Sequence, residues 1–374
     1  MGHLPESLAI AGAWGYIGRK FLAAAVRRHV PTFVYDPGVV PNDIDPNALT
    51  RMMDEAEFYR LPADLFHLAT HPEHRRIGQQ ILFQRAQREP LSILNEKPMA
   101  GPESPEDCNR IVAAAHPGHA ITLYDFPELY DPLTERIIER LCSYREVTVT
   151  DIALCRSKDR EAPDNPRNYK RMVPIQYQES VHCMAFVLFV LARVGGNVAE
   201  RLAGGVSLRA ESEPYVPPNP ELYPYVVDGR CRYRFSLDGV RIEGLTDFKA
   251  GAQLAKRRVL RGRGDGRPFC IEVDYLEGCK RLSIDGVEQT IDPRADSYES
   301  VLGTFVRWRR ETPREDLMAG IYPNPAFARI TYQLSSALWR ASRDRAGLQF
   351  AHLDDVLQFD AGFREALPRL PRYG

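Results

Sequence analysis

Short apolar runs alternate with amphipathic stretches through the first third of the chain. The apolar runs predict strands at about 8–11, 32–35, 63–69, 91–94 and 120–124, and the stretches between them predict helices at 21–29, from about 75 to 88, and at 104–115. Strands that alternate with helices favour parallel pairing through right-handed crossovers. The pattern therefore predicts an α/β domain with a doubly wound parallel sheet.

Beyond about residue 144 the apolar residues recur at every second position. Such runs predict strands at 145–155, 204–210, 231–237, 240–248, 256–263, 269–275 and 279–285. Little helix lies between them, which favours a large and mostly antiparallel open sheet with one packed face and one face free to pair subunits. One apolar helix, 178–194, interrupts the strands, and helices at 298–311 and 325–345 follow.

The length of 374 residues exceeds what one ordinary core organises, so two domains are expected. We place a dinucleotide-binding Rossmann domain at 1–125 and an α+β domain for substrate binding and oligomerisation at 126–374.

Composition excludes several classes of protein. The 49 basic and 50 acidic side chains give a net charge of -1, so no bulk attraction to nucleic acid or to a membrane is expected. The seven cysteines are scattered and form no C-x-x-C pair, which predicts neither disulfides nor a metal site and favours the cytoplasm. The first residues do not resemble a signal peptide, and the longest apolar stretch, 183–192, is too short to cross a bilayer.

Three glycines follow the first predicted strand. Gly12, Gly15 and Gly18 suit a tight strand-to-helix turn in which backbone N–H groups approach a diphosphate. The spacing G-x-x-G-x-x-G is one residue longer than the Rossmann fingerprint, with Trp14 as the extra residue. The alternative is a βαβ unit that binds nothing. Asp36 closes the second strand where a carboxylate accepts hydrogen bonds from ribose hydroxyls and repels a 2′-phosphate, which favours NAD over NADP.

Three loops share the carboxyl edge of the predicted parallel sheet, where ligands bind in this architecture. They are the glycine turn, the turn at 70–74 and the segment 96–98. We predict cofactor contacts from the following residues of these loops and of the second strand: Gly12, Trp14, Gly15, Tyr16, Ile17, Asp36, Thr70, His71, His74, Glu96 and Lys97.

Two residues are candidates for proton chemistry. Lys97 follows the fourth predicted strand, where an ammonium group can hydrogen-bond a substrate hydroxyl, although most loop lysines are simply solvated. His182 lies at the start of the apolar helix with Gln178 one turn before it, and a general acid/base and a core histidine are both compatible with that position. The cationic loop before it includes Arg167 and, next to it, Tyr169, which we predict as substrate contacts; a solvated surface loop is the alternative.

Six segments resemble, in order, the Gfo/Idh/MocA family of oxidoreductases. They are AGAWGYIG, FVYDP, ADLFHLATHPEHR, ILNEKPMA, YDFPELYDP and QESVHCMAFVLFVL, and SYESVLGTF at 297–305 looks like the family's late helix that packs on the nucleotide domain. The Glu96-Lys97-Pro98 triplet is the most specific of these motifs. The resemblance implies that Lys97 orients the reacting hydroxyl, that the Lys97–Pro98 peptide is cis, and that His182 handles the proton.

The resemblance also implies a function. Members use a nicotinamide cofactor to oxidise or reduce a ring hydroxyl or ketone of a sugar or cyclitol, and the open sheet often forms the oligomer interface. We therefore predict an NAD-dependent oxidoreductase acting on a sugar, sugar nucleotide or cyclitol, as a homodimer or homotetramer. The family often has aspartates where this chain has Gln178 and Ala185. Since glutamine cannot take a proton, either His182 works without that carboxylate, or Glu179 or Tyr177 assists it, or the reaction has changed. An idle NAD-binding sensor or scaffold and an imine reductase are the alternatives.

Overall fold

The computed structural model describes residues 3–165, 172–251, 253–292 and 295–374. The chain divides into two compact units. The first consists of the residues up to Gly101, Pro105–Asp131 and Asp296–Arg329, and the second of Pro102–Ser104, Pro132–Ala295 and Ile330–Gly374. The first unit thus runs past residue 125 and takes in a late segment of the chain.

The first unit has a parallel sheet. Its early elements are β1 Leu8–Ala11, α1 Tyr16–Arg27, β2 Thr32–Tyr35, β3 Thr50–Met52, α2 Glu55–Phe58, β4 Leu65–Leu68, α3 Pro72–Arg85, β5 Leu91–Glu96, α4 Glu106–Ala115 and β6 Ala120–Asp125. The strand order is β3-β2-β1-β4-β5-β6 with every described pair parallel. This arrangement confirms the doubly wound sheet, and β3 is an additional strand that the sequence pattern did not predict.

The direction of winding reverses between β1 and β4. All residues of these two strands are buried, as is β5 throughout, which is typical of a sheet covered on both faces. Ligands of such sheets bind beyond the carboxyl ends of the strands at this switch point. The turns that follow β1, β4 and β5 are therefore neighbours at one edge.

The second unit has a large and mostly antiparallel sheet. Its elements are α5 Pro132–Cys142, β7 Val147–Ser157, a π-helical turn Gln176–Ser180, α6 Val181–Val194, α7 Val198–Leu202, β8 Val206–Pro214, β9 Asp228–Leu237, β10 Val240–Asp247, β11 Ala255–Gly264, β12 Arg267–Asp274, β13 Arg281–Ile284 and β14 Val287–Glu288. The order is β14-β13-β12-β11-β7-β10-β9-β8-β15, with β15 at Leu348–Phe350. Among the described pairs only β7 and β10 are parallel.

Burial along these strands explains the period of two. In β8 and β9 apolar side chains are buried at alternate positions, and the intervening polar residues are mostly exposed. Helix α6 is buried from Val181 to Ala192, which agrees with its apolar sequence. The predicted antiparallel sheet and the buried helix are confirmed.

The late helices are α8 Ser297–Glu311, α9 Arg314–Met318, α10 Pro325–Asp344, α11 Leu353–Gln358 and α12 Phe363–Ala366. Helix α8 lies in the first unit. Asp296 caps it by accepting hydrogen bonds from the N–H groups of Tyr298 and Glu299. Arg27 of α1 pairs with Asp296 at 2.5 Å and with Glu299 at 3.2 Å, so α8 packs against α1.

None of the described helices is long and apolar enough to cross a membrane. The seven cysteines all lie within the described residues and have free thiols. The cytoplasmic location expected from the cysteine pattern stays a prediction.

Candidate functional site

The turn after β1 requires glycine. Gly12 has φ +78°, and a Cβ there would lie 2.7 Å from Cγ2 of Thr70. A Cβ on Gly18 would lie 2.2 Å from the carbonyl oxygen of Gly12. Both distances are too short for real carbon atoms, so any side chain would displace its neighbours. The glycines therefore let β1, the turn and α1 approach one another closely.

Helix α1 begins directly after this turn. Gly15 is its N-cap and provides no side chain that could accept hydrogen bonds from the first turn. The first N–H groups of a helix have no acceptor within the helix, and the helix dipole adds partial positive charge there. A diphosphate fits this end of α1 both electrostatically and sterically.

Asp36 follows β2 at the same edge. Its Oδ2 accepts a hydrogen bond from the N–H of Trp14 at 2.9 Å, and its Oδ1 accepts one from Gly38 at 2.9 Å. Trp14, the extra residue of the glycine turn, is thereby hydrogen-bonded to the residue that follows β2. The sequence reading missed Arg51, whose Nη2 donates to the carbonyls of Gly38 at 2.9 Å and Asp36 at 3.3 Å.

The turn after β4 leads into α3. His71 is the N-cap of that helix and Pro72 its first residue. Glu73 Oε1 lies 3.5 Å from His71 Nδ1 and 3.3 Å from His74 Nε2, and the side chain of His74 is 70% exposed. The Thr70 hydroxyl is buried and has no hydrogen-bond partner among the described residues. A bound group could supply that partner.

Lys97 follows β5, and the Lys97–Pro98 peptide is cis. The buried guanidinium of Arg75 donates to the carbonyl of Glu96 through Nη1 and to that of Pro98 through Nη2. Arg75 therefore holds the backbone on both sides of Lys97. The sequence reading missed it, although Pro72, Arg75 and Gln79 share the buried face of α3 at helical spacing.

Three buried polar side chains come together at the ends of β4, β5 and β6. His67 Nε2 lies 3.4 Å from Glu96 Oε1, and Glu96 and Asp125 are register partners. Burial and then the charge of Glu96 raise the pKa of Asp125 well above its ordinary value. Burial alone would also raise the pKa of Glu96, but its close polar contacts with His67 and Asp125 lower it.

The predicted residues of the second unit lie at the start of α6. His182 and Gln178 are both buried, and Gln178 Nε2 donates to the sulfur of Met172 at 3.3 Å. The Glu179 carboxylate binds the guanidinium of Arg156 and, at 2.8 Å, the ammonium of Lys158. Glu179 is thus engaged with two cations.

Two further side chains bear on the sequence predictions. The Tyr177 ring packs against those of Tyr332 and Phe363. Arg160, from the loop predicted to be cationic surface, is buried and donates to Asn165. The predicted substrate residues Arg167 and Tyr169 lie outside the described residues.

No protein-family model and no curated protein sequence matches the chain. Several solved structures do match over almost their whole length. A myo-inositol dehydrogenase from Corynebacterium glutamicum is 15% identical with a TM-score of 0.64, and the alignment covers 93% of this chain and 99% of that one. An oxidoreductase from Agrobacterium radiobacter, solved with NAD+, L-tartaric acid and magnesium, is 13% identical with a TM-score of 0.63 and coverages of 91% and 97%.

A third similar structure comes from a yeast protein. A super-repressor mutant of Gal80p from Saccharomyces cerevisiae is 12% identical with a TM-score of 0.69, and the alignment covers 95% of this chain and 100% of that one. At such identities the likeness establishes a shared fold.

Proposed function

We propose that this chain, which has the fold of Gfo/Idh/MocA-type dehydrogenases, is an NAD-dependent oxidoreductase. It would act on a ring hydroxyl or ketone of a sugar, sugar nucleotide or cyclitol. The observation that carries the proposal lies in the first unit, where the glycine turn, the Thr70 turn and Lys97 follow three neighbouring strands at one edge of the sheet.

The residues present fit a dinucleotide. The turn of Gly12 and the start of α1 would hold the diphosphate, the Asp36 carboxylate would accept hydrogen bonds from ribose hydroxyls, and the Thr70 hydroxyl would gain a partner. A carboxylate repels a 2′-phosphate, and Arg51 is already engaged with backbone carbonyls, so we favour NAD over NADP. We also assign contacts to Trp14, Gly15, Tyr16, Ile17, His71, His74 and Glu96.

When bound, the cofactor supplies hydride transfer at the substrate carbon. The Lys97 ammonium would donate a hydrogen bond to the reacting oxygen and stabilise negative charge there as its proton leaves. His182 would accept that proton, because an imidazole nitrogen can act as a general base. Gln178, Arg167 and Tyr169 would contact substrate hydroxyl or acidic groups.

A second candidate function is binding of NAD without turnover. Gln178 and Ala185 stand where the family often has aspartates, and the fold is shared with a super-repressor mutant of Gal80p. A sensor or scaffold would keep the glycine turn and Asp36 and would have no use for the proton chemistry of Lys97. Imine reduction with the same bound cofactor is a third possibility.

Cofactor binding and turnover are tested separately. We expect NAD to raise the Tm of the purified protein more than NADP does, and Gly12→Ala to abolish that rise. We expect NADH to form when the protein and NAD are incubated with at least one member of a panel of sugars, cyclitols and sugar nucleotides. The rise in NADH absorbance measures this turnover. NAD binding without turnover of any alcohol, ketone or cyclic imine would favour the sensor, and absence of binding would overturn both functions.

Lys97→Met distinguishes the enzyme from the sensor. We expect turnover to fall by about 100-fold or more, since one positioned charge of this kind is worth about 3 kcal/mol of barrier, while NAD still raises the Tm. Lys256→Met, on strand β11 of the second unit, is the matched control and should retain activity. Unchanged turnover in Lys97→Met would contradict the assigned role.

A further inference from the structure

His67, Glu96 and Asp125 form a buried cluster in the first unit, and the proposed function gives no role to His67 or Asp125 and only a cofactor contact to Glu96. We propose that these three residues bind one divalent transition-metal ion in the first unit. His67 lies on β4, Glu96 ends β5 and Asp125 ends β6, so three neighbouring parallel strands each contribute one side chain. One imidazole nitrogen and two carboxylate oxygens all lie within 4.8 Å of one another.

The spacing of the donor atoms suits a metal ion. Zinc holds nitrogen and oxygen ligands at about 2.1 Å, and two ligands at that distance in tetrahedral geometry are about 3.4 Å apart. His67 Nε2 and Glu96 Oε1 are separated by 3.4 Å. Their separation therefore needs little adjustment to receive the ion.

The same atoms lack other partners. Both ring nitrogens of His67, Oε1 of Glu96 and both carboxylate oxygens of Asp125 are buried, and none has a geometrically sound hydrogen bond within the described residues. Burial of such groups without partners costs roughly 1–3 kcal/mol each. A cation that binds one nitrogen and two oxygens would satisfy the groups that now face one another.

A shared proton is the rival explanation. A proton between Glu96 and Asp125 would satisfy only the contact between those two carboxyl groups and would leave the His67 ring as it is. The charge balance also favours a cation, because buried Glu128 adds a third carboxylate near Asp125. Lys97 and Arg75 are positive groups that also interact electrostatically with this cluster. A divalent ion would offset the charge of the two carboxylate ligands.

The ligand set defines the class of metal. Imidazole with carboxylates suits Zn²⁺, Mn²⁺ or Co²⁺, whereas Mg²⁺ prefers oxygen ligands and soft ions prefer sulfur. The three ligands come from separate strands, so no short sequence motif contains all of them. The sequence therefore predicted no metal site.

Direct metal analysis of the full chain tests the proposal. The protein is treated with EDTA, dialysed against Zn²⁺, Mn²⁺ or Co²⁺, and analysed for bound metal after gel filtration. We expect one ion per chain, a rise in Tm with the ion, and a visible Co²⁺ spectrum typical of low coordination number. Failure of all three ions to bind the wild-type protein overturns the proposal and favours the shared proton.

Two variants locate the ion. Asp125→Asn and His67→Leu should each weaken binding by at least about 100-fold, since loss of outer-shell groups alone reaches that size. Asp125→Asn removes like-charge repulsion, so the metal-free variant should unfold at or above the wild-type Tm, which shows that it is folded. Wild-type affinity in this variant would place the ion elsewhere and overturn the proposal.

His74→Ala is the matched control. It removes an exposed imidazole beside Glu73, where a metal could bind adventitiously, and should retain the ion. These measurements use no substrate and no nicotinamide cofactor. A chain that binds the ion but never turns over substrate would therefore retain this inference while losing the proposed activity.

Discussion

Arg75 gives the clearest case of one residue acting through another. It does not reach a reacting atom in the proposed scheme, yet it binds the carbonyls on both sides of Lys97. Two hydrogen bonds from one buried guanidinium fix that backbone in a way that a single ammonium cannot, because the planar group presents paired donors. Arg75 is a positioning residue for Lys97.

We therefore predict that Arg75→Lys and Arg75→Met lower kcat by about tenfold or more while the Kd for NAD changes little. The glycine turn belongs to other strands, so loss of the Lys97 geometry should spare cofactor binding. Steady-state kinetics and NAD titration, well below the Tm, separate the two effects. Arg76→Met, an exposed neighbour on α3, is the control and should behave as wild type. Equal losses of kcat and NAD binding would indicate a merely structural role.

The sequence could identify residues whose role depends on their immediate neighbours in the chain. Gly12 and Gly18 follow from steric demands of one turn, and the cis peptide at Lys97–Pro98 was implied by the family resemblance. Arg75 and Arg51 act on backbone carbonyls far away in sequence, so no spacing rule identifies their targets. His67 and Asp125 meet Glu96 only because three strands lie side by side.

At the scale of elements, an ion pair joins α8 to the sheet of the first unit. Arg309 donates from Nη1 to Asp64 Oδ1 at 2.6 Å and from Nη2 to Oδ2 at 3.1 Å, just before β4 begins. Burial of Asp64 acts to raise its pKa, but the hydrogen bonds from Arg309 and from the N–H of Glu6 outweigh it, so the pKa is lowered. The ionised carboxylate therefore favours the folded state.

We predict that Asp64→Asn lowers the free energy of unfolding by about 1 kcal/mol at pH 7, a modest value because the pair is partly screened by solvent. A lowered pKa contributes stability that is complete above the unfolded value and is lost as pH falls through the folded value. The difference between wild type and variant should hold down to about pH 5 and vanish below the ordinary value of 3.8.

Urea unfolding at several pH values measures this difference. Asp43→Asn, which removes an exposed ion pair with Arg19, should change stability little at any pH and serves as the control. A difference between wild type and Asp64→Asn that grows at acidic pH would contradict the assignment.

Elements with strong periodicity were predicted, and short or irregular ones were not. Strand β3 has three residues and β14 has two, which is less than one full repeat of a pattern. The sequence placed one helix at 178–194, whereas the chain forms a π-helical turn at Gln176–Ser180 before α6. Apolar spacing cannot distinguish a π turn from the α-helix that continues it.

At the scale of the whole molecule, the outer face of the large sheet bears on assembly. The exposed residues of that face pair across strands, as in Arg234 with Glu243 at 3.1 Å and Arg241 with Asp151 at 2.6 Å. Such a charged surface can meet a second copy through complementary charges. We propose that the chain forms homodimers or homotetramers through this face.

Light scattering after gel filtration should accordingly give a mass at least twice the 42.4 kDa of one chain. Arg234→Glu places like charge opposite Glu243 and should shift the population towards monomer. Arg88→Glu, on the exposed surface of the first unit, should leave the mass unchanged. A monomeric wild-type protein would contradict the proposal.

The path of the chain also has a consequence for biosynthesis. The first unit includes Asp296–Arg329, so a ribosome that has finished Asp131 must still add about 180 residues before α8 is complete at Glu311. At bacterial or eukaryotic elongation rates that interval lasts about 10–40 s. During it the nascent parallel sheet emerges without the helix that covers α1, and its apolar surface is open to chaperones. Stalling or truncation between these points would leave a polypeptide that has its glycine turn and Lys97 yet lacks part of the scaffold that supports them.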